Sequence, residues 1–203
     1  TAEPNGFIEL GLAPELVQAV ADLGYTQPTS VQLKAIPLAM GSGNDSTSFI
    51  DLMVSSQTGS GMTAAFLLPV LHTLIQQQAA AEAEERAAFE RAVAEAAARG
   101  EPAPKRAKRK DPTNSRNFKA ATPGALILCP TRELAQQVAH DAIDLVKHCR
   151  GLRVANVVGG MPYQLQIAKL QNANLVVATP GRLLDLQRSM QIKLDKVQFL
   201  VVD

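Results

Sequence analysis

The sequence has few cysteine and histidine residues, the side chains that most often form disulfides and metal sites. Of 203 residues, only two are cysteines, Cys129 and Cys149, and they lie in apolar or helical patterns rather than at metal-ligand or disulfide-framework spacings. We therefore expect both thiols to serve packing, as is usual in a reducing compartment. The three histidines, His72, His140 and His148, are scattered over predicted helices and indicate no catalytic or metal-binding cluster.

Charge of one sign and long apolar runs are also missing. The 20 Lys and Arg residues nearly balance the 19 Asp and Glu residues, so no global field attracts a nucleic acid or a membrane, and any such binding must be local. The sequence has no apolar run of roughly 18 residues that would span a bilayer, and no charged-then-apolar secretory leader. We expect a monomeric, cytoplasmic protein without a membrane partner.

What is present is a regular alternation of strands and helices. Apolar residues make up 46% of the chain, enough for the core of a single domain over residues 1–203. Helical segments alternate with apolar runs, which are FIDLMVSS, GALILCP, LRVANVVGG, ANLVVATP and VQFLVVD. These runs are too apolar for half-exposed strands, so we expect burial on both faces. The pattern predicts an α/β fold with a doubly wound parallel sheet.

Two helices are predicted before the first strand. In LAPELVQAVADLGY, Pro14 suits a first helical turn and Gly24 a helix end. In PTSVQLKAIPLAM, Thr29 suits an N-cap, and Gln32 completes the pattern of a capping box. Gln32 therefore has a structural role before any binding role is considered.

Residues 77–122 interrupt the alternation, and we interpret them as an insertion in a crossover connection. The first half is rich in Ala, Glu and Arg and can extend the preceding helix. The second half has prolines, the basic run KRAKRK and few large apolar residues, so we expect it to be flexible. The basic run fits an RNA-contacting arm, a nuclear address or a solvated charge run, and the sequence leaves all three open.

The stretch SSQTGSGMT joins a predicted buried strand to a predicted helix. Gly59 and Gly61 would let backbone N–H groups converge on phosphate oxygens, where a helix N-terminus adds a favourable dipole. Thr63 supplies the hydroxyl that phosphate loops offer to Mg²⁺. The stretch departs from G-x-x-x-x-G-K-[ST] at Ser56 and at Met62, which replaces the lysine. Alone, it fits a nucleotide loop and a plain glycine-rich turn equally well.

Five further motifs accompany this loop: GYTQPTSVQ with Phe7 upstream, PTRELAQQ, GG, TPGR and VVD. Taken with the loop, they resemble the Q motif and motifs I, Ia, GG, Ib and II of DEAD-box RNA helicases, in the family's order. The sequence looks like a bacterial member of this family, and the resemblance covers the chain except for the insertion and the loop GSGNDSTS. It implies an N-terminal RecA-like domain, cut within the D-E-A-D motif. A second RecA-like domain of the same parent chain is then an expected partner.

The resemblance implies an ATP site. Gln32 would contact the adenine edge with its amide donor and acceptor, Tyr25 would stack on the base, and Phe7 would brace the pocket. Alternatively, Gln32 forms the capping box with Thr29, and the two roles can hold in different states of the protein. Phe7 and Tyr25 can also be ordinary core aromatics. The residues expected at ATP and Mg²⁺ are Phe7, Tyr25, Gln27 (through its carbonyl), Gln32, Gln57, Thr58, Gly59, Ser60, Gly61, Met62, Thr63 and Asp203.

The resemblance also implies an RNA surface. Two helix N-termini at one sheet edge would present N–H groups and hydroxyls to successive phosphates, reading backbone and not sequence. Alternatively, Thr131 and Thr179 are only N-caps, and Arg132 and Glu133 are only surface residues. The expected RNA-binding residues are Pro130, Thr131, Arg132, Glu133, Gly159, Gly160, Thr179, Pro180, Gly181 and Arg182.

Met62 is the departure with the largest chemical consequence. The resemblance implies a catalytic role for the positions of Met62, Thr63 and Asp203. Met62 lacks the ammonium group that a lysine would extend to the phosphates. Losing a hydrogen bond to a charged group weakens binding by about 1.5–3 kcal/mol, or roughly ten- to hundredfold. Hydrolysis suffers more, because charge shifts onto phosphate oxygens in the transition state. We expect weak ATP binding and no hydrolysis, in either an altered helicase or a natural pseudo-ATPase that serves as an RNA-binding scaffold.

Overall fold

The computed structural model describes residues 6–40, 62–108 and 119–202. Met62 is described only as the first residue of a helix. Several predictions fall outside the described residues. They are the strand at FIDLMVSS and the roles of Gln57, Thr58, Gly59, Ser60, Gly61 and Asp203.

The described sheet has four short strands, all parallel. They are β1 (Ala125–Leu128), β2 (Val154–Val157), β3 (Leu175–Ala178) and β4 (Phe199–Val202), in the order β2-β3-β1-β4. The register places Ala125 beside Leu175 on one side and Phe199 on the other. Since the strands are parallel, β1, β2 and β3 end at the same edge of the sheet, where the motifs after them are brought together.

Helices cover both faces of this sheet. They are α1 (Pro14–Asp22), α2 (Ser30–Met40), α3 (Met62–Ala98), α4 (Arg132–Leu145), α5 (Tyr163–Leu170) and α6 (Pro180–Arg188). Leu16, Leu71 and Val138 of α1, α3 and α4 belong to one core cluster, and Leu170 and Leu186 of α5 and α6 belong to the other. The predicted doubly wound α/β fold is confirmed. None of the described helices combines the length and apolar character needed to cross a membrane.

Burial of every strand on both faces was predicted, and this is wrong for β4. β3 is buried at every residue, whereas β4 alternates, with Leu200 and Val202 exposing 60% and 74% of their surface. β4 is an edge strand of the described sheet, and its exposed residues show that no described helix covers this side of it. β2, the other edge strand, also alternates between buried and half-buried residues.

α3 continues from the core into the predicted insertion. Its first part buries Leu67, Leu68, Leu71 and Leu74, whereas its last 20 residues are mostly exposed. After the helix, the guanidinium of Arg106 lies 5.1 Å from the centroid of the Phe89 ring. The predicted extension of the helix is confirmed, and flexibility of the second half stays a prediction.

The end of the predicted insertion belongs to the core. Ala121 is 3% exposed and pairs with Ile192 in an isolated parallel bridge. The backbone N–H of Ala121 donates to the Gln191 carbonyl at 3.0 Å. The chain has therefore rejoined the domain by this residue, four residues before β1.

Candidate functional site

The segment after α1 presents an exposed aromatic ring. Gly24 adopts a φ of 87° and ends the helical turn, with its N–H donating to the Ala21 carbonyl at 3.0 Å. The N–H of Tyr25 donates to the Val20 carbonyl at 2.9 Å, and the residue is 59% exposed. The alternative that Tyr25 is a core aromatic is therefore wrong, and its ring is accessible for stacking.

Gln32 lies at the start of α2 and is only 6% exposed. Its Oε1 accepts a hydrogen bond from the Thr29 N–H at 2.9 Å, and the Gln32 N–H donates to Thr29 Oγ1 at 3.3 Å. These reciprocal bonds confirm the predicted capping box. Any contact with an adenine edge would be added to this arrangement or would replace part of it.

The segment around Phe7 lies against the segment around Gln27. The Gly6 N–H donates to the Thr26 carbonyl at 2.8 Å, and a Cβ on Gly6 would stand 2.8 Å from Cδ of Pro28. Phe7 is 2% exposed and belongs to the main core cluster. The alternative of a core aromatic describes Phe7 correctly, and a core position beside this segment is also where a bracing residue would lie.

α3 links the nucleotide motifs to the core. It begins at Met62, at the junction where the helix of a phosphate loop is expected, and Thr63 is half-buried in its first turn. Further along, His72 Nδ1 accepts a hydrogen bond from the N–H of Ala13, the N-cap of α1, at 3.0 Å. Burial lowers the pKa of His72, which keeps the ring neutral and able to accept this bond.

None of the three histidines joins a metal site in the described part of the chain, where no three His, Cys, Asp or Glu side chains cluster suitably. Burial raises the pKa of the Cys149 thiol to about 11, so this thiol stays protonated at neutral pH.

The motifs that were predicted to bind RNA lie at the carboxyl edge of β1, β2 and β3. α4 begins at Arg132 after β1, and α6 begins at Pro180 after β3. Thr131 caps α4, because its Oγ1 accepts from the Leu134 N–H at 3.2 Å. Thr179 occupies the N-cap position of α6 without a side-chain capping bond. Thr131 is therefore an N-cap, as the alternative interpretation predicted. The Thr179 hydroxyl, in contrast, does not cap the helix that it precedes.

The glycine doublet after β2 meets the start of α4. Gly160 has a φ of 83°, and a Cβ placed there would stand 2.7 Å from Nη1 of Arg132. Gly159 is exposed, and a Cβ there would meet no atom within 4 Å. Gly160 thus leaves the space in which the Arg132 guanidinium lies, and the two motifs form one surface.

Arg182 is held by residues that the sequence did not single out. Its guanidinium carbon lies 5.4 Å from the centroid of the Tyr163 ring, and its Nε is buried without a hydrogen-bond partner in the described structure. On the same helix as Tyr163, Gln166 donates from Nε2 to the Val158 carbonyl at 2.7 Å, next to the glycine doublet. The sequence signal for these contacts was a tyrosine and a glutamine on a short predicted helix that follows two glycines.

A charged cluster joins α1 to the end of α4. Asp22 accepts from Lys147 Nζ at 3.1 Å, from His148 Nε2 at 2.5 Å and from Gln18 Nε2 at 3.0 Å. These bonds, that of His148 foremost, hold the pKa of the Asp22 carboxyl well below its ordinary value of 3.8. The cluster connects the helix before Tyr25 to the helix that begins at Arg132.

Comparison with known families agrees with this arrangement. The family described as DEAD/DEAH box helicase matches residues 29–203, most of the chain. The chain belongs to this family. Among curated DEAD-box relatives, DEAD-box ATP-dependent RNA helicase 52A of Oryza sativa subsp. japonica is 35% identical over 201 residues, which are 98% of this chain and 28% of that protein.

Solved structures with bound RNA or nucleotide are also similar. S. cerevisiae Dbp5 bound to RNA and ADP BeF3 matches with a TM-score of 0.64 and 28% identity, over 98% of this chain and 38% of that one. Prp28 from Chaetomium thermophilum bound to ADP matches with a TM-score of 0.62 and 31% identity, over 96% and 37%. The chain therefore spans well under half the length of these relatives and has the RecA-like fold of helicase domains.

Proposed function

We propose that this chain is the N-terminal ATP- and RNA-binding domain of an ATP-dependent RNA helicase. One observation carries the proposal. The segments with the RNA motifs follow three neighbouring parallel strands and meet at one sheet edge. In the parent enzyme, a second RecA-like domain would close on this one around ATP and RNA. ATP binding would then separate short duplexes locally, and hydrolysis would reset the cycle.

The adenine end of the proposed ATP site fits the residues present. Tyr25 offers an exposed ring for stacking, and Gln32 offers an amide whose donor and acceptor match the adenine edge. The carbonyl of Gln27 would accept an adenine N–H. The solved relatives with bound ADP or ADP BeF3 support a nucleotide as a ligand of this domain.

The phosphate end would be formed by residues 57–63 and by Asp203. Bound Mg²⁺ would neutralise charge on the phosphates, and Thr63 and Asp203 would hold it, partly through water. α3 begins at Met62, and the N–H groups and the dipole of a helix N-terminus favour a bound anion. We propose that the missing ammonium leaves ATP binding weak and hydrolysis absent.

The RNA surface would bind the phosphate backbone. Thr131 and Arg132 at α4, the glycine doublet, and Thr179 to Arg182 at α6 provide N–H groups, hydroxyls and two guanidinium groups. Such donors bind phosphates of any sequence. The structure of Dbp5 bound to RNA supports RNA as the partner.

Met62 itself favours a second candidate, a natural pseudo-ATPase that acts as a nucleotide-independent RNA-binding scaffold. The two candidates differ in what a lysine would restore. In an altered helicase, every other part of the site is functional, so a single side chain restores it. In a natural pseudo-ATPase, other positions of the site have also changed, and a lysine restores little ATP hydrolysis.

Met62→Lys in a longer parent protein that contains the second RecA-like domain separates these candidates. We expect RNA-stimulated ATP hydrolysis to appear in this variant and to be absent from Met62→Leu, which has similar size and no charge. A coupled assay of phosphate release with and without single-stranded RNA measures it. If the lysine variant stays inactive while it still binds RNA, the scaffold is the correct function.

A further inference from the structure

Arg182 is fixed in place without an acidic partner. In the part of the chain that the structure describes, it makes no ion pair. Its guanidinium lies instead over the ring of Tyr163, with 5.4 Å from the guanidinium carbon to the ring centroid. A cation over an aromatic face is attracted by the ring quadrupole and keeps its full charge. An arginine held in this way stays available to an anion, whereas a carboxylate would neutralise it.

Tyr163 is itself held at its other end. Its hydroxyl forms a hydrogen bond with Oγ of Ser189, and this Oγ also donates to the Asp185 carbonyl at 2.8 Å. Ser189 is the C-cap of α6, while Arg182 lies in the first turn of that helix. The tyrosine therefore contacts α6 near both of its ends, and its ring cannot swing away from Arg182 without breaking the bond to Ser189.

We propose that Tyr163 is a positioning residue for RNA binding, which presents the Arg182 guanidinium to a phosphate of the RNA backbone. The proposal rests on the RNA role of Arg182 in the proposed function. Since Nε is buried without a partner, the two Nη groups are the donors that remain for a phosphate. A side chain already held in one geometry loses less conformational entropy when it binds.

The position of Tyr163 also couples two RNA motifs. It is the first residue of α5, three residues after Gly160. Gln166, one turn later on α5, holds the Val158 carbonyl just before the glycine doublet. α5 thus contacts the residue before the doublet with one side chain and Arg182 with another.

A double-mutant cycle on the 203-residue chain tests the proposal. Binding of a fluorescent single-stranded RNA is measured by anisotropy for the unaltered chain, Tyr163→Leu, Arg182→Ala and the double variant. We expect Tyr163→Leu to weaken binding about two- to tenfold, because a released Arg182 side chain must lose its conformational freedom when it binds RNA. The same change in the Arg182→Ala background should have no further effect, because the tyrosine acts through the arginine.

Conservative variants sharpen the cycle. Tyr163→Phe keeps the ring and loses the bond to Ser189, so it should retain most of the affinity that Tyr163→Leu loses. Thermal unfolding checks that each variant is folded. If Tyr163→Leu does not fold, Tyr163→Met, which has similar volume and no aromatic face, takes its place.

The outcomes distinguish the positioning role of Tyr163 from the RNA-binding role of Arg182. An affinity of Tyr163→Leu equal to that of the unaltered chain, or an equal loss in both backgrounds, contradicts the positioning role and leaves the RNA role of Arg182 standing. Unchanged binding by Arg182→Ala contradicts that RNA role and the positioning role with it.

Discussion

In the proposed nucleotide site, which we call the nucleotide side of the domain, Phe7 and Gln32 are 2% and 6% exposed, and both belong to the packing or capping of the fold. On the RNA side, Thr131, Arg132 and Gly160 are exposed at the ends of strands. Substitutions of Phe7 or Gln32 therefore disturb folding together with binding. At Arg132 on the proposed RNA side, the two effects can be separated, because an exposed side chain contributes little to the core.

The two sides also differ in how much depends on one residue. As proposed, the RNA side distributes its donors over three strand ends. The nucleotide side has its charge-bearing position at Met62, where a methionine has no ammonium to offer. We therefore expect the RNA side to function in this chain and the nucleotide side to be nearly silent. The following predictions, from the largest expected effect to the smallest, test this division.

Gln32→Ala in a Met62→Lys background should have the largest effect, because it removes both an adenine contact and half of the capping box. We expect ATP affinity to fall about tenfold, equivalent to one or two ordinary hydrogen bonds. GTP affinity should change little, because guanine offers a different edge. Titration calorimetry with both nucleotides measures the two affinities.

Thr29→Ala is the matched control for Gln32→Ala. It removes the hydroxyl that accepts from the Gln32 N–H and leaves the glutamine in place. It should lower the free energy of unfolding by about 1 kcal/mol, the usual value of an N-cap, without changing the preference for ATP over GTP. An equal loss of ATP affinity in both variants would show that Gln32 acts only through the capping box.

Gly160→Ala should disturb the RNA side and leave the nucleotide side intact. The backbone at Gly160 is left-handed, and a Cβ would collide with Nη1 of Arg132. We expect about 1–2 kcal/mol lower stability and severalfold weaker RNA binding, measured by urea unfolding and by anisotropy. Gly159→Ala, where a Cβ meets open space, should remain as stable as the parent. If the two variants lose RNA affinity equally, the glycines serve the approach of RNA and not the position of Arg132.

Asp22→Asn should have the smallest effect, on the connection between the two sides. The folded protein lowers the pKa of Asp22, so the stabilisation is complete above the ordinary value of 3.8 and disappears as the pH falls below it. The free energy of unfolding of Asp22→Asn should be lower than that of the parent at neutral pH, and the two should converge in acid. Asp195→Asn, an exposed carboxylate without an ion pair in the described structure, is the control. A difference that persists unchanged in acid contradicts the account.

Much of the fold followed from local patterns in the sequence. Pro14 in a first turn, Thr29 with Gln32 in a capping box, and the alternation of apolar runs with helices all depend on neighbours along the chain. The exposed face of β4 did not follow, because burial depends on what lies beside a strand and not on the apolar character of the strand itself.

The candidate site divides in the same way. Its motifs were found from spacing, and their placement at one sheet edge follows from parallel strands. The contacts of Arg182 with Tyr163 and of Gly160 with Arg132 were not predicted. They join residues 19 and 28 positions apart, and no periodicity within a helix or strand encodes such a pair.

The most direct test of the account is an ATP titration of this chain beside its Met62→Lys variant, with RNA binding measured on the same samples. We predict roughly ten- to hundredfold tighter ATP binding with the lysine, from a hydrogen bond to a charged group. RNA affinity without nucleotide should be the same in both, and Met62→Leu should bind ATP like the unaltered chain. ATP binding that stays equally weak with the lysine would contradict the claim that a functional nucleotide site lacks only its cation.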